Sequence, residues 1–211
     1  MIGNAVFEKE IVPIEEISPS ESITSFGYIG SVIELEGLDF VIQAFSEINQ
    51  LGIKFQLHII GDGNALPALK QLATELNVPV FFHGRVPFSD IQKYYKLIDC
   101  VINYRRNEII AHDVTPLKPL EGIAQGKLII CSDVGGMREI LGEQNTAIFV
   151  PPNNPELLSR KIVQILRKEI DTHSIKKNAT RYILANRVWE KNVKKYIELY
   201  SQIYFSYKER N

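Results

Sequence analysis

The sequence predicts an α/β fold built on a doubly wound parallel sheet of about six strands. Three observations carry this reading. From Ser25 to about Val150, short β-branched, aromatic or aliphatic runs alternate with amphipathic helical patterns, the order expected of βαβ units with helices on both faces of a sheet. Glycines stand where several of those strands would end, in "YIGS", "IIGDG" and "FHGR". The 211 residues, 45% hydrophobic and 23% charged with a net charge of −1, can bury roughly 70% of their unfolded surface, so no disulfide framework is needed.

The elements follow in order. "FGYIGSV" reads as the first strand, and "GLDFVIQAFSEINQL" as its helix, with Leu38, Val41, Ile42 and Phe45 on one face. "FQLHIIGD" is the second strand, followed by the helix "NALPALKQLATELN" with Leu66, Leu69, Leu72, Ala73 and Leu76 inward. "VFFHG" is the third. The helix "SDIQKYYKLID" comes next, capped by Ser89 and striped by Ile91, Tyr94, Tyr95 and Ile98. "CVINY" is the fourth strand, and the polar stretch "RRNEIIAHDV" after it reads as irregular. Then come the helix "TPLKPLEGIAQG", a fifth strand "LIICSDV", the short helix "MREIL" and a sixth strand "AIFV". "NPELLSRKIVQILRKE" is a helix with Leu158, Ile162, Ile165 and Leu166 inward. Two more helices close the chain, the last with Trp189, Val193, Tyr196, Ile197 and Tyr200 on one face. Residues 1–24, rich in Pro, Ser and Glu, read as a linker segment, and residues 25–211 as the domain with its C-terminal helices.

Near-zero net charge gives no global attraction to nucleic acid or to an anionic membrane, so phosphate recognition has to be local. Cys100 and Cys131 fall in apolar runs and read as buried small hydrophobes. No run approaches the roughly 20 apolar residues of a membrane span, and a cytoplasmic protein is the default expectation.

In a doubly wound sheet, ligands bind beyond the C-terminal ends of the strands. The turn "IIGDGNAL" resembles a dinucleotide fingerprint, but it lacks a third glycine and follows the second strand, so its glycines read as backbone geometry. His58, His83, His112 and His173 show no metal-ligand spacing, and no metal is expected. His58 and His83 read as satisfied strand residues. The informative stretch is "HDVTPLKPLE". Thr115 can cap a helix that has Pro116 at its first position, leaving free N–H groups and Lys118 facing the cleft, a setting for phosphate. Glu121 reads in two ways: as a partner of Lys118 worth a few tenths of a kcal/mol, or as a carboxylate that accepts hydrogen bonds from a diol such as ribose. Arg105 and Arg106 follow the fourth strand, close to the same cleft.

Taken together, "GYIGS…EGLDFVIQAF", "LHIIGDGNALPALKQLA", "VFFHGRVPFSDIQKYYKLIDCVI", "TPLKPLEGIAQGKLIICSDVGGMREIL" and "AIFVPPNNPELLSRKI" resemble the C-terminal domain of the glycosyl transferases group 1 family, glycosyltransferase family 4. The five motifs occur in the family's order, and the resemblance covers about residues 2–168. The resemblance implies the Rossmann-like C-terminal half of a GT-B enzyme, with a nucleotide-sugar donor bound against it. It implies a retaining transferase of hexosyl type that uses no cofactor or metal. It also implies that the family's N-terminal acceptor-binding domain is missing here or supplied by a partner chain, with a peripheral position at the inner face of the membrane as one consequence. The wording "TPLKPLE" looks like a subgroup linked to surface polysaccharide synthesis.

Carried over residue by residue, Glu121 matches the second Glu of the family's paired motif, which binds ribose. Asp113 stands where the first Glu would be, with His112 beside it to share a donor-sugar hydroxyl. Arg85 and Val86 match the loop along the base, and Val114, Thr115, Pro116 and Leu117 match the loop whose amides hold the diphosphate. Gly30 matches the glycine of the first loop, but the family's Arg and Lys of that loop are replaced by Ser31 and Glu36. The expectation is that Lys118, with Arg105 or Arg106, supplies the displaced charge. Catalytic roles then fall to Asp113, Lys118 and Glu121. The alternative is a non-catalytic nucleotide-binding or assembly module of the same fold; an epimerase of this architecture and an NAD-binding domain are weaker rivals.

Overall fold

In the computed structural model the described residues are 3–17, 23–142 and 145–210. Residues 1, 2 and 18–22 of the expected linker segment lie outside them.

Six strands form one parallel sheet: β1 (Ser25–Ile29), β2 (Gln56–Ile60), β3 (Val80–Gly84), β4 (Cys100–Asn103), β5 (Leu128–Ser132) and β6 (Ile148–Val150). Their spatial order is β3-β2-β1-β4-β5-β6, so the winding reverses between β1 and β4, and the crevice at that point is where such sheets bind ligands. Period-two alternation splits the core into two layers. Phe26, Tyr28, Leu57, Ile59, Ile102 and Ile130 face α1 (Leu38–Gln50), α2 (Leu66–Glu75) and α7 (Pro155–Leu166). Ile29, Ile60, Val101, Ile129 and Cys131 face the other layer, made of α3 (Ile91–Tyr95), α5 (Lys118–Ala124), α6 (Gly135–Leu141) and α8 (Thr172–Asn186). The apolar stripes read from the sequence point inward as expected: Val41, Ile42, Phe45, Leu158, Ile162 and Ile165 are all buried. Each such side chain contributes roughly 1.5–3 kcal/mol of transfer free energy.

The structure corrects three local expectations. "RRNEIIAHDV" contains a helix, α4 (Ile109–Asp113), which packs against α6. Ser89 makes no cap; a 3₁₀ turn, Phe88–Asp90, leads into α3 instead. Neither Thr115 nor Pro116 opens α5, because the Thr115 hydroxyl donates to Glu139 Oε2 at 2.8 Å. The helix begins at Lys118, and Pro119 takes the first-turn place, where its missing N–H costs nothing. His58 and His83 are strand residues as expected, and they satisfy each other. Their Nδ1 and Nε2 atoms are 3.0 Å apart across β2 and β3, with the rings stacked.

Residues 3–17 run along the domain as irregular chain with two single 3₁₀ turns, Glu8–Glu10 and Ile14–Glu16. Val6 bridges Val188, and the Val12 N–H donates to the Ala124 carbonyl at 2.7 Å, so this segment ties the end of α5 to the start of α9 (Trp189–Arg210). On α9, Val193, Tyr196, Ile197 and Tyr200 are exposed. No helix among the described residues is long and apolar enough to cross a membrane.

Candidate functional site

The site forms where β1 and β4 end. At Gly30 the backbone adopts φ +148°, and a Cβ there would lie 2.4 Å from Lys118 Cε, so the missing side chain is what lets the lysine cross the end of the strand. The next loop comes equally close, since a Cβ on Gly61 would meet the Gly30 carbonyl oxygen at 1.8 Å. The glycines of "IIGDG" therefore serve close backbone approach, as the sequence implied. Ile29, Gly30, Ser31, Ile60, Gly61, Asp62, Gly63, Arg85, Val86 and Ile91 line an open cleft of about 520 Å³. Four expected donor residues, Gly30, Ser31, Arg85 and Val86, thus share one hollow.

Lys118 lies against Gly30, one of the residues that line this cleft. Its Nζ lies 2.7 Å from Glu36 Oε1 and donates to Tyr28 Oη at 2.6 Å. The Tyr28 hydroxyl donates in turn to the Ser31 carbonyl at 2.6 Å. Burial pushes the Lys118 ammonium down, and the Glu36 carboxylate opposes that shift. Tyr28 is pushed upward by burial and by Glu36, so its proton stays on. Arg105 is buried behind Lys118. Its Nη2 lies 3.5 Å from Glu36 Oε1, and its Nη1 donates to the Val114 carbonyl at 3.0 Å. Arg106 turns elsewhere: it pairs with Asp39 at 2.7 Å and stacks on Phe40.

Glu121 and Lys118 do not form the ion pair that the sequence offered as one reading, because the ammonium is held by Glu36. Among the described residues the Glu121 carboxylate has no hydrogen bond or ion pair. Loss of hydration pushes its carboxyl up, Lys118 pulls it down, and Glu10 adds a smaller upward push.

His112 is fixed as one tautomer. Nδ1 accepts from the Gly135 N–H at 3.1 Å, so Nε2 carries the proton and donates to Asn107 Oδ1 at 2.8 Å. Nδ1 thereby holds α4 against α6, and Nε2 ties α4 to the loop that precedes it. Asp113, the last residue of α4, is exposed and has no partner among the described residues. In the loop before α5, Val114 and Leu117 are exposed, Pro116 is buried, and Thr115 is tied to Glu139. No group of three or more His, Cys, Asp or Glu side chains converges on a common point among the described residues.

Two residues of this network were not singled out as contributors by the sequence. Tyr28 reads as a strand core residue, and Glu36 reads as the loss of a cation. The polar tip of an aromatic residue at the end of a strand was the available signal for the first. For the second there was none, since its partners are remote in the chain.

The model of the family described as glycosyl transferases group 1 matches residues 14–182. An uncharacterized glycosyltransferase of Methanocaldococcus jannaschii is 25% identical over 205 residues, covering 92% of this chain and 51% of the relative. An alpha-D-kanosaminyltransferase of Streptomyces kanamyceticus is 28% identical over 133 residues, covering 62% of this chain and 33% of its own. Among solved structures, a glycosyltransferase from Rickettsia africae superposes with a TM-score of 0.77 at 19% identity, covering 96% of this chain and 56% of that one. Anabaena HepE in complex with UDP gives 0.74 at 18% identity, covering 86% and 49%. The chain spans about half the length of the M. jannaschii relatives it matches. With its reversed parallel sheet and its family match over most of its length, this chain belongs to the glycosyl transferases group 1 family.

Proposed function

We propose that this chain binds the nucleotide-sugar donor for a retaining, metal-independent sugar transfer from a nucleoside diphosphate to a hydroxyl acceptor, in polysaccharide or glycoconjugate synthesis. The observation that carries this reading is Lys118, an ammonium held over the Gly30 backbone at the switch point of the sheet. A cation preorganised there meets the charge that grows on a departing diphosphate, commonly several kcal/mol of a barrier. The neighbouring loop, Val114 to Leu117, lies along the same phosphates. Arg85 and Val86 flank the base, and Glu121, which has no hydrogen bond or ion pair among the described residues, accepts from the ribose hydroxyls.

His112 spends both ring nitrogens inside the protein, so the contact to a sugar hydroxyl falls to the free carboxylate of Asp113. Positioning of the donor then accounts for the rest of the protein's contribution. The acceptor is bound by a second, N-terminal Rossmann-like unit, part of a longer chain or of a partner. The half-length match to the relatives and the open apolar face of α9 support this. That unit also brings the protein to the cytoplasmic face of the membrane.

The ribose assignment is tested by titrating the chain and its Glu121→Ala variant with UDP and with 2′-deoxy-UDP. The parent prefers UDP, and the variant loses that preference because the diol no longer has its acceptor. Equal discrimination by both proteins would remove Glu121 from the donor site.

A further inference from the structure

The residue that looks like a defect in the sequence is paired with two cations in the structure. Glu36 sits in the 3₁₀ turn Glu34–Glu36 with its side chain 4% exposed. A carboxylate so buried demands compensation, and two cations from elsewhere in the chain provide it, both on one oxygen: Lys118 Nζ, at the start of α5, at 2.7 Å and Arg105 Nη2 at 3.5 Å. Each cation extends the link. Lys118 reaches Tyr28 and through it the Ser31 carbonyl, while Arg105 reaches the Val114 carbonyl. One carboxylate thereby ties the loop after β1, the loop after β4 and the segment leading into α5. Two of the three ammonium N–H groups of Lys118 are taken by Glu36 and Tyr28, and its side chain is 21% exposed, which leaves the third N–H for the open side.

We propose that Glu36 is a positioning residue for phosphate binding: it holds the Lys118 ammonium over Gly30 and, through Arg105, fixes the chain at Val114 that leads into it. The proposal rests on the donor reading above. Two cations and one anion leave the cluster with a single net positive charge at the rim, and the anion faces inward. Glu36 also favours the charged form of the ammonium. Lys118 faces Tyr28 of β1, Glu36, Arg105 and Glu121; burial and Arg105 favour loss of its proton, whereas Glu36 and, less strongly, Glu121 retain it.

The test is calorimetric titration of the 211-residue chain with UDP at pH 7 and pH 9, alongside Glu36→Gln, Glu36→Asp and Lys118→Met, each checked for folding by thermal melting. Glu36→Gln is expected to bind UDP about tenfold more weakly at pH 7, the loss of one charge-assisted contact. It should weaken by about a further threefold or more at pH 9, while the parent changes less. Glu36→Asp, which keeps the charge, should fall between the two. Should Glu36→Gln not fold, the parent decides: with 13Cε-labelled lysine, added UDP must shift the signal that Lys118→Met lacks.

Glu36→Gln binding UDP as the parent does, with the same pH profile, would overturn the proposal; if Lys118→Met still lost binding, the donor reading would stand. Tighter binding by Glu36→Gln would also overturn it, because the carboxylate would then be competing with phosphate. A lysine signal that stays in place while UDP binds would overturn it without any Glu36 variant. A parent that binds none of UDP, GDP and ADP would instead remove the donor reading, and the proposal with it.

Discussion

Lys118 has a short side-chain path across a glycine, two fixed partners and one open direction, and these facts make it the centre of the candidate site. Lys118→Ala is expected to weaken nucleoside diphosphate binding by about tenfold or more, as loss of a charge-assisted contact does, and to lower the melting temperature, because the buried Glu36 loses its nearer cation. A calorimetric comparison checks this; unchanged affinity would move the phosphate elsewhere. The His58–His83 pair makes a second prediction at this scale. Burial and its neighbour's charge push His58 down, and burial pushes His83 down. The native pair thus refuses protons that the unfolded chain takes up near pH 6.5. The unfolded state binds more protons below that pH, so stability must fall as the solution is acidified. Melting temperature should drop between pH 7.5 and pH 5.5, and the drop should shrink in His83→Gln; an unchanged drop would exclude the pair as its source. Lys118 and Glu121 were legible in the sequence because unusual residues crowd one helical turn. Glu36 was not: its meaning lies in what surrounds it in space, and a sequence shows only what precedes and follows.

The helices show the same divide between local and remote causes. Long amphipathic elements such as α1 and α7 were legible because a sustained stripe has one solution. The five residues of α4 are too few to show a period, and Ile109 and Ile110 on it are exposed. For α5 the capping pattern pointed to Thr115, but that hydroxyl is taken by Glu139 on α6, a competition no local pattern reveals. At α7 the cap is real: the Asn154 side chain accepts from the Leu157 N–H at 2.9 Å. Its backbone N–H also donates to the Tyr104 hydroxyl, which donates to the Pro151 carbonyl. Asn154→Ala should cost about 1 kcal/mol, the usual value of such a cap, read as a shift in the urea midpoint. A loss near zero would mean that the Tyr104 contacts alone fix the start of the helix.

For the molecule as a whole, the sheet is what brings remote loops together. Gly30, Arg105 and Lys118 come from three separate connections, and they meet only because β1 and β4 are neighbours at the reversal. Ile102 on β4 is fully buried at that junction. Ile102→Ala is expected to cost about 2–5 kcal/mol by denaturant titration, and a loss under 1 kcal/mol would mean that the junction can collapse around the cavity. The measurement that bears most directly on the account is calorimetric titration of this chain with UDP, GDP and ADP in the absence of added metal. The account predicts that one of the three binds, at one site per chain, and that Lys118→Ala loses it. Folded protein that binds none of them would contradict it.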